Sequence, residues 1–409
     1  MKRVVIVGGG AAGFFTAINL NLPADIEILI LEKSNKLLSK VKVSGGGRCN
    51  VTHACFDPKE LSTFYPRGKK ELVGPFHSFQ CGDTFDWFEK RGVSLKIEDD
   101  GRVFPNTDSS QTIIDCFLKE ANQKNIKIEL QTGIQNLVPN GNEWNVVTSN
   151  NDVIPCNYVI MAAGSSPQIW EMLQALGVKM IHQVPSLFTF NIKDSRIEGL
   201  AGLSTKYAEV SIPSIKMESD GPMLITHWGL SGPGILKLSA WAARELEAKK
   251  YKFDIVVNWL GNESKESLID RFKNLRSSDP RRLVHSYSPV DLPARLWQSI
   301  ISPYIPHDLK WADINNKAID SIALELSQGV FKVDGKSTFK DEFVTAGGVD
   351  LADVEFKTME SKQFKGLYFA GEVLNIDAVT GGFNFQAAWT TSILCAKSIS
   401  NALVSEKSY

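Results

Sequence analysis

The stretch Val4-Val5-Ile6-Val7-Gly8-Gly9-Gly10-Ala11-Ala12-Gly13 decides the fold of this chain. Its first four residues are apolar and β-branched, which is typical of a buried strand in a parallel sheet. The next six fit the pattern G-x-G-x-x-G, and residues 14–21 continue as a helix. A second apolar stretch, residues 26–31, predicts another strand, and Glu32 follows it directly. The order of strand, glycine turn, helix, strand and acid predicts a dinucleotide-binding unit.

Each part of this pattern has a mechanical reason. Gly8 permits the tight turn, Gly10 lets the backbone approach a pyrophosphate, and Gly13 lets the helix pack closely on the strand. The N-terminus of the helix offers unpaired N–H groups and a positive dipole end to the phosphates. Glu32 lies 19 positions after Gly13, where a carboxylate accepts hydrogen bonds from ribose hydroxyls. A carboxylate there disfavours a 2′-phosphate, so FAD or NAD is predicted rather than NADP.

Composition narrows the class of protein. A length of 409 residues suggests two or three domains, and 43% hydrophobic residues allow sizeable cores. The formal net charge of −1 gives no pull toward nucleic acid or an anionic membrane, so neither is predicted as a partner. No apolar stretch has the length of a bilayer span, and the chain enters its first strand at once. We therefore expect a cytoplasmic protein.

The six cysteines include no C-x-x-C pair. This counts against a thiol–disulfide oxidoreductase and against a zinc site, and no metal site is predicted. Dispersed cysteines are most simply free thiols in a reducing compartment.

A second glycine-rich stretch covers residues 44–53. Three glycines beside Arg48 are typical of a loop whose amides approach a ligand closely while the guanidinium neutralises negative charge. An exposed flexible loop is the alternative. The aromatic-rich residues 76–88 are interpreted first as core and second as a wall of a flavin or substrate site.

Between these stretches and the middle of the chain, further elements are predicted. Residues 112–122 form an amphipathic helix with Leu118 on the buried side. Residues 126–130 and 143–148 alternate as strands of a small antiparallel layer. Residues 158–166 form an apolar strand that ends in small residues, which suits close approach to the same dinucleotide.

A third informative stretch lies near the C-terminus. Residues 366–372 predict a strand that ends in a glycine and an acid, and residues 378–384 form a glycine turn before a helix at 385–403. The acid can bind the hydroxyls of a ribityl chain. The start of the helix can direct its dipole at a flavin ring that becomes anionic on reduction. A routine strand-turn-helix unit is the alternative.

The pattern changes between residues 185 and 343. Short strands dominate at first, and residues 263–304 are helical and charged. The glycine-rich run 229–234 is not a second dinucleotide fingerprint, because no strand-helix-strand-acid context surrounds it.

The chain resembles the bacterial BaiN/YhiN-like flavoproteins, also called the aminoacetone oxidase family. The most specific matches are Ser44-Gly45-Gly46-Gly47-Arg48-Cys49-Asn50, residues 226–233, residues 345–349 and residues 366–386. The resemblance implies an α/β fold with a discontinuous, Rossmann-like FAD-binding domain of glutathione-reductase type, interrupted by an inserted β-rich region and a small helical region. The predicted segments are 1–184 and 344–409 for the FAD-binding domain, 185–260 for the β-rich insert and 261–343 for the helical part.

The resemblance also implies bound FAD, with NAD(P)H or oxygen as a transient redox partner and a small organic substrate. The predicted cofactor contacts are Gly8, Gly10, Ala11, Ala12, Gly13, Glu32, Lys33, Ser44, Gly45, Gly46, Arg48, Cys49, Asn50, Ala163, Gly164, Gly371, Glu372, Asp377, Gly381, Gly382, Phe383 and Asn384. The predicted function is an FAD-dependent oxidoreductase that transfers hydride between flavin and substrate. A flavin-binding redox sensor or scaffold without turnover is the alternative, and near-neutral charge argues against a nucleic-acid-modifying flavoenzyme.

No acid/base residue is fixed by the pattern. His53, His77 and His227 are candidates, because histidine titrates near neutrality, although a structural role is the default for each. His227 is the predicted catalytic residue, because its glycine-rich surroundings in the insert would allow a substrate to face the flavin.

Overall fold

The computed structural model describes residues 2–261, 263–337 and 344–405. Contacts divide them into two compact units. Unit 1 comprises residues 2–184 and 344–405, and unit 2 comprises residues 185–337. Within these ranges, no helix combines the length and the apolar character that crossing a membrane requires. The four predicted segments stay a prediction.

In the described residues, the main sheet of unit 1 has seven strands, of which five consecutive strands, up to one edge of the sheet, are parallel. Their spatial order is β22 (Leu367–Phe369), β10 (Tyr158–Met161), β1 (Arg3–Val7), β2 (Glu27–Leu31) and β6 (Lys127–Glu129). Antiparallel β21 (Glu360–Ser361) and β20 (Val354–Glu355) extend the β22 edge. The chain leaves β1 toward β2 on one side and later returns with β10 on the other side. In open α/β sheets, ligands bind at such a switch point, beyond the carboxyl ends of the strands.

Strand β1 lies in the interior of unit 1. Val4, Val5 and Ile6 have no exposed surface, as expected for a parallel strand that is covered on both faces. Helices α1 (Ala11–Asn19) and α13 (Phe383–Ser405) meet through an aromatic contact, with ring centroids of Phe15 and Trp389 4.8 Å apart.

The remaining elements of unit 1 surround this centre. The smaller sheets are β3 (Thr52–His53) with β5 (Arg102–Pro105) and β4 (Leu95–Ile97), β7 (Ile134–Asn140) with β8 (Glu143–Thr148) and β9 (Val153–Cys156), and β11 (Met180–Ser186) with β19 (Val344–Val349). The other helices are α2 (Ser39–Gly47), α3 (Pro58–Ser62), α4 (Val73–Ser78), α5 (Cys81–Glu89), α6 (Ser110–Gln123) and α7 (Pro167–Leu176). Short 3₁₀ turns lie at Leu351–Asp353 and Gly371–Val373.

Two predictions for unit 1 are wrong. Strand β6 is not part of an antiparallel layer: it pairs in parallel with β2 at the edge of the main sheet. In β6, Lys127 and Glu129 are exposed and Ile128 is half-buried, so its sequence alternates like that of a half-buried antiparallel strand. Leu118 is 37% exposed, because it lies about 100° around α6 from Phe117, which is on the buried stripe.

Unit 2 is a seven-stranded antiparallel sheet with helices packed on it. The spatial order is β17 (Gly329–Asp334), β16 (Lys252–Asn258), β13 (Ser204–Ile212), β14 (Met217–Ile225), β15 (Gly229–Ser231), β12 (Thr189–Asn191) and β18 (Lys336–Ser337). Its helices are α8 (Pro233–Trp241), α9 (Ala243–Ala248), α10 (Lys265–Ser278), α11 (Ala294–Ile301) and α12 (Asn316–Gln328), with 3₁₀ turns at Pro213–Ile215, Val284–Ser286 and Trp311–Asp313. One hydrophobic core joins sheet and helices, for example through Trp259, Phe272 and Phe331.

Candidate cofactor site

The predicted site begins where four adjacent parallel strands end. Gly8 follows β1, Glu32 follows β2, Gly164 comes shortly after β10, and Glu372 comes shortly after β22. Because parallel strands present their carboxyl ends at one edge of the sheet, residues that are far apart in sequence meet at the switch point.

The three glycines of the fingerprint have different surroundings. Gly8 has φ +114°, and a Cβ there would lie 2.5 Å from the Ala162 carbonyl oxygen. A Cβ on Gly13 would lie 1.9 Å from the Gly8 carbonyl oxygen. At Gly10, a Cβ would meet no atom of the described residues within 4 Å, apart from chain neighbours. The first and third glycines are therefore required by backbone packing, whereas the second leaves open space.

The N-terminus of α1 faces this space. Gly10 is its N-cap, and in the described part of the chain no side chain caps the helix and no acidic residue lies in its first turn. The first backbone N–H groups of a helix have no partner within the helix. The amides at Ala11 and Ala12, together with the positive dipole end, fit the negative charge of a pyrophosphate.

Glu32 joins β2 to the glycine turn. Its Oε2 accepts a hydrogen bond from the Gly9 amide at 2.8 Å, and its Oε1 accepts one from the Ser34 amide at 2.9 Å. A carboxylate has about four lone-pair positions, so acceptor capacity remains for ribose hydroxyls. Lys33, which follows, is exposed.

Residues 44–47 are a turn at the end of α2 rather than a separate loop. Helical geometry stops at Ser44, and Gly45, Gly46 and Gly47 all have positive φ, of +57°, +69° and +84°. A Cβ on Gly46 would meet nothing within 4 Å among the described residues beyond its chain neighbours. The Gly45–Gly46 backbone is exposed and accessible to a ligand, and its contact with a cofactor stays a prediction.

Arg48 is already paired within the protein. Its Nη1 lies 2.6 Å from Glu98 Oε1 and 3.5 Å from Asp108 Oδ1, and its guanidinium lies 3.8 Å from the centre of the Phe104 ring. Two carboxylates thus supply its counter-charge. A cofactor contact at Arg48 stays a prediction, and such a contact would have to compete with these partners.

Cys49 and Asn50 are buried behind this turn. The Cys49 side chain has no exposed surface, and burial raises the pKa of its thiol to about 12. The Asn50 side chain is oriented so that its amide nitrogen donates to the Thr52 and Val103 carbonyls and its oxygen accepts from the Gly382 amide at 3.0 Å. Asn50 therefore connects the segment that follows the Gly45–Gly47 turn to Gly382, at the start of α13.

The turn before α13 is held by residues from β3. Gly381 and Gly382 have φ of +127° and +94°, and a Cβ on Gly382 would lie 2.4 Å from the Thr52 carbonyl oxygen. His53 Nδ1 lies 3.0 Å from the Gly381 carbonyl oxygen, and its ring stacks on Phe383 with centroids 4.4 Å apart. Burial lowers the pKa of His53, against the opposing effect of the Gly381 hydrogen bond. The neutral tautomer that fits this contact donates from Nδ1.

Asp377 and Asn384 fix the same turn from its other end. Asp377 is completely buried and forms a bidentate ion pair with Arg67. The amide of Asn384 accepts from the Ala378 N–H at 3.0 Å and donates to the Ala378 carbonyl at 3.2 Å. These side chains support the backbone of the turn, and their predicted contact with a cofactor stays a prediction.

Glu372 lies beside Gly164. A Cβ on Gly164 would lie 3.4 Å from Glu372 Oε2, so the ends of β10 and β22 approach each other here. Lys40 Nζ lies 2.6 Å from that oxygen, and the Thr345 amide donates to Oε1 at 3.4 Å. Gly371 packs against α1, since a Cβ there would lie 2.8 Å from Ala12 Cβ. Ala163, next to Gly164, is half-buried.

Three residues that shape this region, Lys40, Gly347 and Gly348, are not among the site residues predicted from the sequence. Lys40 meets Glu372 across 332 positions, so no local pattern predicts the pair. Gly347 and Gly348 lie within β19 between two backbones: added Cβ atoms would be 2.6 Å from the His182 carbonyl oxygen and 2.5 Å from that of Val373. A glycine pair inside a strand is the signal that could have indicated this close approach.

The three candidate histidines have different surroundings. His53 is half-buried against the second glycine turn, whereas His77 on α4 is exposed. His227 is exposed in the loop between β14 and β15 of unit 2. The catalytic assignment of His227 stays a prediction.

The chain is similar in sequence to proteins of a known family. The family profile described as "HI0933-like protein Rossmann domain" matches residues 2–398. The ribosomal RNA dihydrouridine synthase of Escherichia coli is 26% identical over 409 residues, covering 97% of either chain. The 3-dehydro-bile acid delta(4,6)-reductase of Clostridium scindens is 24% identical over 410 residues, covering 97% of this chain and 98% of that one.

Among solved structures, 3-ketosteroid-delta4-(5alpha)-dehydrogenase from Rhodococcus jostii has a similar fold. It aligns with a TM-score of 0.51 and 12% identity, covering 98% of this chain and 97% of that chain. At this identity the likeness concerns the fold alone. The predicted fold class and the resemblance to the BaiN/YhiN-like proteins are both confirmed.

Proposed function

Because the chain belongs to the HI0933-like Rossmann-domain family, we propose that it is an FAD-dependent oxidoreductase that saturates a carbon–carbon double bond conjugated to a carbonyl group. The names of the relatives support this reaction. Dihydrouridine is uridine with two hydrogens added across the double bond next to a ring carbonyl. A delta(4,6)-reductase acting on a 3-dehydro bile acid likewise saturates bonds conjugated with the 3-oxo group. The two substrates differ greatly in size but share this chemistry.

The observation that carries the proposal is the open, uncapped start of α1 over Gly10. It fits a pyrophosphate, and the free lone pairs of Glu32 fit the adenosine ribose. Gly164, Glu372 and the turn at Gly382 would then hold the ribityl chain and the ring. When bound, FAD supplies the hydride.

The chain's own residues would orient the cofactor and control charge. The N-terminus of α13 would favour negative charge on a flavin ring bound next to it, and the Lys40–Glu372 pair would set the local charge where the ribityl chain is proposed to bind. A proton must also reach the substrate carbon next to the carbonyl. We propose His227 for this step, because it is exposed and its ring makes no hydrogen bond with the described residues.

The electron donor is proposed to be NADH or NADPH, bound transiently. The chain has one dinucleotide fingerprint in its strand-helix-strand context, so a nicotinamide would visit the flavin rather than occupy a second Rossmann domain. The net charge of −1 favours a small molecule over an RNA base as the substrate.

The test is a visible absorption spectrum of the purified protein before and after anaerobic addition of NADH and NADPH. We expect a flavin spectrum, release of FAD on denaturation, and bleaching by one nicotinamide. A uridine-containing RNA oligonucleotide or a 4-ene-3-one steroid should then restore the oxidised band, and the His227→Ala variant should do so much more slowly. A protein that neither contains nor takes up FAD would contradict the proposal. Reduced flavin that no conjugated substrate reoxidises would favour the redox sensor or scaffold.

A further inference from the structure

Helix α2 begins beside the first glycine turn of unit 1. The Leu38 amide, directly before the helix, donates to the Gly9 carbonyl at 2.9 Å. Leu38 is buried and has φ +54°, so the chain turns sharply at this contact. Further along α2, the Lys42 carbonyl accepts a hydrogen bond from the Ser110 hydroxyl at 2.8 Å. The backbone that carries Lys40 is therefore held on both sides, next to the turn at which a pyrophosphate is proposed to bind.

The Lys40 side chain reaches a different part of the switch point. Its Nζ lies 2.6 Å from Glu372 Oε2, and a Cβ on Gly164 would lie 3.4 Å from the same oxygen. Gly371, next to Glu372, packs on Ala12 in the first turn of α1. In the order of the strands, Lys40 follows β2 and Glu372 follows β22, with β1 and β10 between them. The ammonium group thus lies among the strand ends that form the switch point.

The ammonium group of Lys40 has room for a further contact. Its side chain is 54% exposed, and in the part of the chain that the structure describes, Glu372 is its only ion-pair partner. An ammonium group has three N–H donors, so donors remain beside the one that Glu372 uses. Arg48, by contrast, is already paired with Glu98 and Asp108. Lys40 is therefore better placed than Arg48 to bind a negatively charged ligand.

We propose that Lys40 is a cofactor-binding residue whose ammonium group bridges Glu372 and the pyrophosphate of FAD. This rests on the proposed function, which assigns the pyrophosphate to the start of α1 and the ribityl chain to Glu372. The dipole of α1 supplies only about half of a positive charge, whereas each phosphate group of FAD carries a negative charge. The Glu372 carboxylate adds a further negative charge nearby. A lysine between them offsets both, because its compact charge suits phosphate and carboxylate oxygens alike.

Calorimetric titration of the FAD-free protein with FAD tests the contact without turnover. We expect Lys40→Met to bind FAD about 10- to 100-fold more weakly, the usual cost of a hydrogen bond to a charged group. Lys40→Arg keeps the charge and should recover most of the affinity. Lys42→Met is the matched control, because Lys42 is also exposed on α2 and has no ion pair within the described residues. It lies about 200° around the helix from Lys40, so its loss should leave the affinity unchanged.

The outcomes separate this inference from the proposed function. Equal affinity of Lys40→Met and the wild type, or an equal loss in Lys42→Met, would overturn the inference. Failure of the wild type to bind FAD would instead contradict the proposed function.

A second measurement distinguishes contact with the phosphates from an action through Glu372 alone. If Lys40 only neutralised Glu372, Lys40→Met would cost no affinity once Glu372→Gln had removed the negative charge. If the ammonium group binds the pyrophosphate, Lys40→Met should still weaken FAD binding about 10-fold in the Glu372→Gln background. The affinity of the wild type should also fall more steeply with added KCl than that of Lys40→Met, because salt screens an exposed charge contact. Loss of the Lys40→Met effect in the Glu372→Gln background, or identical salt dependence, would overturn the inference.

Discussion

Two helices of unit 1, α1 and α13, begin at glycine turns, and the two turns are held in different ways. The turn at Gly8–Gly13 is supported partly from its own strand-turn-helix unit, with the Gly8 carbonyl against Gly13, and partly by the end of β10, where the Ala162 carbonyl lies against Gly8. The turn at Gly381–Gly382 is supported from far away, by Asn50 and His53. The first turn therefore has a strong local component, whereas the second is held by distant side chains.

The two turns therefore differ in which residues maintain their shape and which leave space for a ligand. In the first turn, backbone packing and ligand space fall on different glycines, so they can be changed one at a time. In the second turn, the partners include a buried ion pair and a buried tyrosine, so its shape depends on side chains that never need to touch a ligand. Four predictions test this contrast, in order of decreasing effect.

The largest effect is expected from Gly13→Ala. A Cβ 1.9 Å from the Gly8 carbonyl oxygen forces α1 away from β1, which we expect to cost about 4 kcal/mol or more of unfolding free energy. The matched variant is Gly10→Ala, whose Cβ has open space in the described structure. It should unfold like the wild type but bind FAD about 10- to 100-fold more weakly, since a methyl group would press on the phosphates.

Urea unfolding of the FAD-free proteins and FAD titration check this pair. Equal stability of Gly13→Ala and wild type would show that the third glycine is not a packing requirement. Normal FAD affinity in Gly10→Ala would show that the open space is not where a pyrophosphate lies.

The next effect concerns the second turn. Asp377→Asn removes the charge that pairs with Arg67, and breaking a buried ion pair costs about 3 kcal/mol. The exposed pair of Lys206 and Asp291 gives the control, because Asp291→Asn should cause no measurable change in unfolding free energy. If both variants unfold alike in urea, the ion pair does not fix the turn.

The sequence predicted the first turn well and the second only in outline, for a physical reason. The roles of Gly8, Gly10 and Gly13 follow from spacing along a single strand-turn-helix unit. The support of Gly382 by Asn50 depends on contacts across more than 300 positions, which no periodicity contains. A glycine pair before a helix indicates a special backbone there, but not which side chains hold it.

The same limit explains the errors in the fold. The alternation of residues 126–130 reports which side chains are exposed, and an edge strand of a parallel sheet and a strand of an antiparallel layer share that pattern. Conversely, the burial of β1 was predictable, because a continuous apolar run fits a central parallel strand. In the site, Arg48 was expected to face a ligand, and its pairing with Glu98 depends on where β4 and β5 lie.

A smaller effect is expected from Tyr65→Phe. The Tyr65 hydroxyl is buried and donates to the Phe383 carbonyl at 2.6 Å, at the first residue of α13. Removing one hydrogen bond of this kind costs about 1 kcal/mol. We expect that loss in urea unfolding with little change in FAD affinity, because other residues still hold the turn. A larger loss of FAD affinity than of stability would mean that this hydroxyl acts on the cofactor site itself.

The smallest effect is a dependence on pH. Burial lowers the pKa of His53 below its ordinary value of 6.5, so near and below pH 6.5 the unfolded chain binds more protons than the folded one. Unfolding free energy should therefore fall as the pH drops from 6.5 toward the pKa of the folded state, and stay level below it. His285 in unit 2 has a lowered pKa for the same reason, next to His307, and gives the comparison.

In urea unfolding from pH 7 to pH 5, His53→Asn should weaken the pH dependence of the unfolding free energy, while the amide of the new side chain keeps a donor for the Gly381 carbonyl. His285→Asn should weaken it independently. An unchanged pH dependence in His53→Asn would show that protonation of His53 is not what destabilises the second turn in acid.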